Sequence, residues 1–272
     1  MKAKIKLGPS GIPAGCKGTS VDAVGYVKKE GLHCIEIQFV RGVHMKNKMA
    51  MEVGEAAKQF GVELSVHAPY YINLASHDKK IQKQSVQRII DSLERAHHMG
   101  AKIVVVHPGY YGNHGPDKAH KIIMEQCQKI SDHIVSNKWR VKLGLETTAK
   151  KKQYGTLDEI NDICKKVKRV APVIDFGHLF AKQGGAIDYA NILDKVKYQK
   201  HIHSHFSNMK KNKQGGYSDI HLPIDHAPPF KPLAKEILKR KLDITIISES
   251  PLTDIDSLKM ARIFRKLGYS FE

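Results

Sequence analysis

No stretch of this sequence stays apolar for 18 residues, so nothing in it has the length of a membrane-spanning helix. Met1 to Gly8 lack the apolar core and small-residue cleavage site of a secretion signal, and a soluble cytoplasmic protein is expected. Cysteine is scarce. Cys16, Cys34, Cys127 and Cys164 are far apart and form no Cys-x-x-Cys pair, which argues against a disulfide framework or a zinc knuckle and for reduced, small apolar fillers. Acidic residues are also in short supply, with Asp plus Glu at 27 against Lys plus Arg at 45, a formal net charge of +18. An excess of that size concentrates phosphate-bearing ligands by long-range attraction and points to nucleic acid.

Hydrophobic residues at 41% and charged residues at 26% are ordinary globular usage, and 272 residues suffice for a large core. Short apolar runs alternate with longer stretches of helical period along the whole chain, and no linker interrupts them. The runs at Lys4–Gly8, Cys34–Phe39, Leu64–His67, Ile103–His107, Lys142–Glu146, Pro172–Asp175, His201–Phe206 and Ile244–Glu249 read as buried parallel strands. Helices are predicted between them, for example over Met49–Phe60 and Ile81–Met99, with Gly61 and Gly100 where a left-handed C-terminal residue is wanted. Eight strand-then-helix units have the rhythm of an α/β protein of the (β/α)8 TIM barrel type, one domain over residues 1–272. The absence of a glycine-rich loop after the first strand weighs against an open, dinucleotide-binding sheet.

A barrel carries its chemistry at the C-terminal ends of its strands. Strands three to six end in His67, His107, Glu146 and Asp175, and Asp175 is followed by Phe-Gly-His178. Strand seven ends near His205, Asp219-Ile-His221 lies beyond it, and strand eight ends in Glu249. Any one of these is unremarkable, because polar residues at strand ends are usually satisfied by neighbours. Together they put five histidines, two aspartates and two glutamates on one rim, all donors suited to zinc and similar divalent ions. Nine donors exceed the needs of one tetrahedral site, so two or three ions are implied, an arrangement suited to phosphoryl chemistry. His201, His203 and His205 alternate on one face of strand seven; His205 lies nearest the rim, and His203 is expected deeper, packed and hydrogen-bonded.

The loops of the same rim are basic and aromatic. Arg41, His44, Lys46 and Lys48 follow strand two; Lys150, Lys151 and Lys152 follow strand five; Lys210, Lys211 and Lys213 follow strand seven. Tyr70-Tyr71 and Tyr110-Tyr111 follow strands three and four and offer rings that can stack on bases.

These residues resemble the endonuclease IV family of apurinic/apyrimidinic endonucleases over nearly the whole chain. The most specific stretches are Val-His67-Ala-Pro-Tyr-Tyr-Ile-Asn73-Leu, Val-Val-His107-Pro-Gly, Leu-Glu146-Thr-Thr-Ala, Asp175-Phe-Gly-His178, His205-Phe-Ser-Asn, Asp219-Ile-His221 and Glu249-Ser-Pro. The resemblance implies three divalent ions, zinc by preference with manganese or iron admissible at the oxygen-rich second position. His67, His107 and Glu146 would hold the first, and Glu146 would bridge to a second held by Asp175, His205 and Glu249. The third would fall to His178, Asp219 and His221. It also implies metal-dependent hydrolysis of the phosphodiester 5′ to an abasic site in double-stranded DNA, by a monomer, with Glu146 essential to catalysis. Tyr70 and Tyr71 match the lesion-probing loop; Arg41, with different flanking residues, is a weaker match for the family's inserted arginine, and Lys150, Lys210 and Lys211 are expected to grip DNA. The opening Leu7-Gly-Pro-Ser-Gly-Ile-Pro and the residues after His205 depart from the family pattern, as does the long basic loop from Lys210 to Ser218. Two other readings compete: a sugar isomerase or epimerase with one divalent ion, and a non-catalytic nucleic-acid-binding barrel.

Overall fold

The structure, a computed structural model, describes residues 3–271; Met1, Lys2 and Glu272, which the single-domain expectation also takes in, lie outside the described residues. Eight parallel strands form one sheet: β1 (Ile5–Pro9), β2 (Cys34–Gln38), β3 (Glu63–His67), β4 (Ile103–Val106), β5 (Lys142–Glu146), β6 (Val170–Asp175), β7 (Ile202–Phe206) and β10 (Ile244–Ser248). The spatial order β1-β10-β7-β6-β5-β4-β3-β2 leaves β1 and β2 as the two ends. Those ends meet. A parallel bridge joins Ser10 to Glu36, His33 N–H donates to the Leu7 carbonyl at 2.9 Å, and Gly11 N–H donates to the Glu36 carbonyl at 2.8 Å, so the barrel is nearly closed. The seam depends on Gly8, where a Cβ would lie 1.7 Å from the Cys34 carbonyl oxygen.

Helices wrap the outside: α1 (Ser20–Lys29), α2 (Asn47–Phe60), α3 (Lys79–Met99), α4 (Pro116–Ser136), α5 (Leu157–Lys166), α6 (Phe176–Lys182), α7 (Tyr189–Lys195), α8 (Phe230–Arg240) and α9 (Thr253–Lys266). Reciprocal Thr19/Asp22 and Thr156/Glu159 capping boxes start α1 and α5, and the left-handed Gly61 and Gly100 end α2 and α3 as their sequences predict. Among the described residues no helix is long and apolar enough to cross a membrane.

Alternate strand residues divide between two cores. Leu7, Ile35, Leu64, Val66, Leu143, Ile174, Phe206 and Ile246 face the helices and join the main apolar cluster. A second, small cluster of Ile103, Val105, Ala171 and Val173 comes from alternate positions of β4 and β6. Across from it, polar residues such as Glu36, Ser65, His203 and Thr245 are buried and hydrogen-bonded to one another or to further polar groups. The interior is therefore polar on one side from the floor to the rim.

Two elements differ from the sequence expectation. The stretch after β7, expected as one long basic loop, is an antiparallel hairpin of β8 (Asn208–Lys211) and β9 (Tyr217–Leu222). The helix α6 starts directly after β6, where no helix was expected.

At the floor, Lys6 Nζ donates to Glu63 Oε2 at 2.6 Å and Thr245 Oγ1 donates to Glu63 Oε1 at 2.9 Å. Burial pushes the Glu63 pKa up, but the Lys6 and Thr245 bonds outweigh it and hold the carboxyl below its ordinary value. A carboxyl depressed in the folded state stabilises above its unfolded pKa of about 4.3, and that contribution fades as pH falls through the folded value. Glu63→Gln is therefore expected to cost about 1–3 kcal/mol at pH 7, with the gap to wild type narrowing below about pH 4. Urea denaturation of both proteins at pH 7 and at acid pH measures this; a gap that stays constant would contradict it.

Candidate metal centre

Each of the nine nominated donors reaches the rim by a local rule. His67, Glu146 and Asp175 are the last residues of β3, β5 and β6, His107 and Glu249 directly follow β4 and β10, and His205 is the penultimate residue of β7. Asp175 also caps α6, its Oδ1 accepting from His178 N–H at 2.6 Å, so the Asp-Phe-Gly-His spacing sets the imidazole in the first turn beside its own cap. Asp219 and His221 are two apart on β9 and share a face.

Three groups of donor atoms result, each with all atoms within 4.8 Å of one another: His67, His107 and Glu146; Glu146, Asp175, His205 and Glu249; and His178, His221 and Glu249. Asp219 joins the last, its Oδ1 3.3 Å from His178 Nε2 and 3.7 Å from His221 Nε2. Glu146 divides its oxygens between two groups. Its Oε2 lies 3.4 Å from His67 Nε2 and 2.7 Å from His107 Nε2, and its Oε1 lies 2.9 Å from His205 Nδ1.

The ring orientations follow from what lies behind them. Nδ1 of His67, His178 and His221 sits 2.7, 2.9 and 3.0 Å from the carbonyl oxygens of Ala68, Thr147 and Glu249. A carbonyl only accepts, so each Nδ1 carries the proton and each Nε2 faces the donor group. His205 is turned the other way, with Nδ1 toward Glu146 and Glu249 and Nε2 toward Glu36.

Glu36 is the residue that sequence reasoning missed. It is fully buried and, with His203 and His205, makes a fourth group of donors beneath the rim. The available signal was alternation: a lone glutamate and a glutamine two apart in Cys-Ile-Glu36-Ile-Gln38 share one face, and that face points into the barrel. His203 lies deeper than His205, its Nε2 3.3 Å from Glu36 Oε2.

The charge balance of the mouth is lopsided. Burial pushes the Asp175 carboxyl up to about 6, His178 opposes that, and Glu249 and Glu146 add to it. Asp175 Oδ2 is buried without a hydrogen-bond partner. Against the cost of burial, His107 and His205 hold Glu146 well below the carboxylate range, and His205 holds Glu249 at about 2. Among the histidines, burial opposes protonation, yet Asp219 lifts His221 to about 9, and Glu36, Glu249 and Glu146 lift His205. Such a cluster of carboxylates demands cations, which protons on imidazole or divalent ions can supply. The orphaned Asp175 oxygen and the nitrogen–oxygen donor set both fit divalent ions such as zinc.

His67, His107, His178, Asp219, His221 and Glu249 line a cleft of about 370 Å³ whose walls include Tyr70, Tyr110, Lys150 and Gln153, while Glu146, Asp175 and His205 are fully buried. Tyr70, in its wall, and the adjacent Tyr71 are 55% and 63% exposed. The Tyr70 N–H donates to the Val40 carbonyl at 3.2 Å, which brings the loop bearing the exposed Arg41 alongside. Gly109, at φ +123°, lets the His107-Pro-Gly turn press on Asn73, where a Cβ would lie 2.7 Å from Asn73 Cα; Asn73 Oδ1 accepts from Tyr110 N–H at 3.2 Å. Lys150 is drawn into the cleft, its Nζ 3.3 Å from Asp219 Oδ2, whereas Lys210 and Lys211 are exposed on β8.

A nearly closed (β/α)8 barrel with a histidine–carboxylate rim is the class defined by this fold and site. Within that class the chain belongs to the xylose isomerase-like TIM barrel family, which matches residues 24–265. It is 30% identical to an uncharacterized protein of Methanocaldococcus jannaschii over 98% of this chain and 100% of that one. It is 31% identical to a probable endonuclease 4 of Mycoplasmopsis synoviae over 71% of this chain and 70% of the relative. Among solved structures, a D-tagatose 3-epimerase-like protein shares the fold, with a TM-score of 0.73 at 22% identity over 95% of this chain and 96% of that one.

Asp175→Asn keeps an oxygen for the α6 cap and removes one charge from the crowded mouth. Metal-stripped Asp175→Asn is expected to be at least as stable as stripped wild type, by up to about 1 kcal/mol or a few degrees in Tm. Added zinc should raise its Tm less than it raises that of wild type. Thermal melts with and without chelator check both halves; an equal zinc response in the two proteins would count against Asp175 as a ligand.

Proposed function

We propose that this protein is a metal-dependent apurinic/apyrimidinic endonuclease that cuts double-stranded DNA 5′ to an abasic site, leaving a 3′-hydroxyl and a 5′ deoxyribose phosphate, and that it acts as a monomer in the cytoplasm. The observation that carries this reading is the third donor group. Glu146, Asp175, His205 and Glu249 alone suffice for one divalent ion, as a sugar epimerase would need, and leave His67, His107, His178, Asp219 and His221 without purpose. A nuclease uses them all. In this reading His67, His107 and Glu146 hold one ion, Glu146, Asp175, His205 and Glu249 a second, and His178, Asp219 and His221 a third, with zinc preferred and manganese or iron admissible at the second. Bound divalent ions would supply Lewis acidity, activating water and neutralising charge on the phosphate and the departing oxygen.

The protein's own residues bind and orient. Tyr70 and Tyr71 present rings to an unstacked lesion, with Tyr70 next to His67 at a ring separation of 5.6 Å. Arg41, Lys210 and Lys211 would hold backbone phosphates on either side. Lys150 offers its ammonium from within the cleft, already paired with Asp219.

The first experiment incubates metal-loaded protein with a duplex carrying one tetrahydrofuran abasic analogue, which cannot undergo lyase chemistry. A single nick directly 5′ of the analogue is expected, lost on stripping by chelator; an intact duplex together with one retained ion per chain would favour sugar epimerisation instead. Glu146→Gln is expected to abolish cutting while leaving most DNA binding. Wild-type rates from it would overturn the assignment. Tyr70→Ala should weaken binding to the lesion duplex more than to undamaged DNA, measured by titration of both at fixed salt, since phosphate contacts weaken steeply as salt rises.

A further inference from the structure

Beneath the rim, Glu36 accepts four hydrogen bonds. Gln38 Nε2 at 3.1 Å meets Oε1, and Ser65 Oγ at 2.9 Å, His203 Nε2 at 3.3 Å and His205 Nε2 at 3.3 Å meet Oε2, with His205 Nε2 also 3.2 Å from Oε1. Four donors on one carboxylate are as many as it ordinarily takes, and three of them share one oxygen. Although Glu36, His203 and His205 together have the composition of a metal site, an ion there would have to displace bonds already made. The group has another use.

We propose that Glu36 is the positioning residue of the metal centre: it takes the Nε2 proton of His205, fixes that tautomer, and so presents the Nδ1 lone pair to the position shared with Glu146, Asp175 and Glu249. The inference rests on reading His205 as a metal ligand. It does not depend on how many ions the rim holds, because the same four donors serve the one-ion and the three-ion reading alike. Its physical basis is an asymmetry among the histidines. His67, His178 and His221 are each backed by a neutral backbone carbonyl, while His205 is backed by a buried carboxylate. A carboxylate partner makes the far nitrogen a stronger electron donor and restrains the ring more firmly than a carbonyl does. Gln38, Ser65 and His203 in turn hold Glu36, and Ser10 Oγ accepts from Gln38 at 2.5 Å. The chain of bonds thus runs from Ser10, just past β1, through β2 to His205 on β7, across the barrel interior.

Glu36→Gln tests this, since the amide matches the carboxylate in size. His205 Nε2 lies 3.3 and 3.2 Å from the two oxygens, so the amide either turns its NH2 group to the ring, favouring the tautomer with the proton on Nδ1 where the metal should bind, or offers a neutral oxygen that makes Nδ1 a weaker donor than the carboxylate does. Retained zinc per chain, measured by elemental analysis across a graded chelator series, should show one ion released at roughly 10- to 100-fold lower chelator strength than in wild type. The cobalt-substituted protein should show altered visible absorption at the same position. Glu36→Asp, which keeps the charge but withdraws it from the ring, is expected to fall between the two, and provides the measurement if Glu36→Gln does not fold. A lower Tm with wild-type zinc retention and an unchanged cobalt spectrum would reduce Glu36 to a packing role and overturn the proposal. A wild-type chain that keeps a single ion would overturn the nuclease reading and leave Glu36 to be judged by the same comparison; one that keeps none would overturn both.

Discussion

Carboxylates packed against one another inside a barrel mouth are the constraint on which this structure turns. Glu146 and Asp175 end the adjacent β5 and β6, Glu249 follows β10 on the far side of β7, the three converge within a few ångströms, and Glu36 lies just below them. No lysine or arginine among the described residues ion-pairs with any of these four; their charged partners are histidines. Imidazole is the one side chain that meets the need in two ways, by carrying a proton or by giving it up and ligating a cation. The polar side of the interior, the backbone carbonyls behind three rings and the carboxylate behind a fourth all serve to keep those imidazoles facing inward.

Much of this was legible in the sequence because strand ends are legible. A short apolar run followed by histidine or a carboxylate marks both the strand and its C-terminal end, so the rim could be read from His67, His107, Glu146, Asp175 and Glu249. Where the pattern was silent, the reason is physical. The Lys210 to Ser218 stretch is basic and turn-rich, and its strands β8 and β9 cover the site from outside with little apolar alternation to betray them. The helix α6 is a single short segment fused to its strand through the Asp175 cap, too brief for a period to show. Glu36 went unnoticed because a glutamate within an apolar strand reads as a surface residue until the other strands place its face indoors.

The loops around the mouth are fastened to one another. Asn73, Gly109 and Tyr110 fasten the third and fourth, and Tyr70 and Val40 fasten the second and third. Exposed aromatic rings on braced backbone lose little conformational entropy on meeting a partner, which makes such a rim a ready contact surface.

The hairpin β8–β9 stands outside the barrel sheet, yet it contributes Asp219 and His221 to the rim. Four donors on β5, β6, β7 and the end of β10 are fixed by the barrel itself, whereas these two arrive on a separate ribbon pinned against α6. The ribbon packs on α6 through a small cluster of its own, Met209 with Phe180 and Ala149, separate from the main core. The donors of the mouth therefore fall into a set carried by the barrel and a set carried by an added part, and a change confined to the ribbon would alter the second while leaving the first in place.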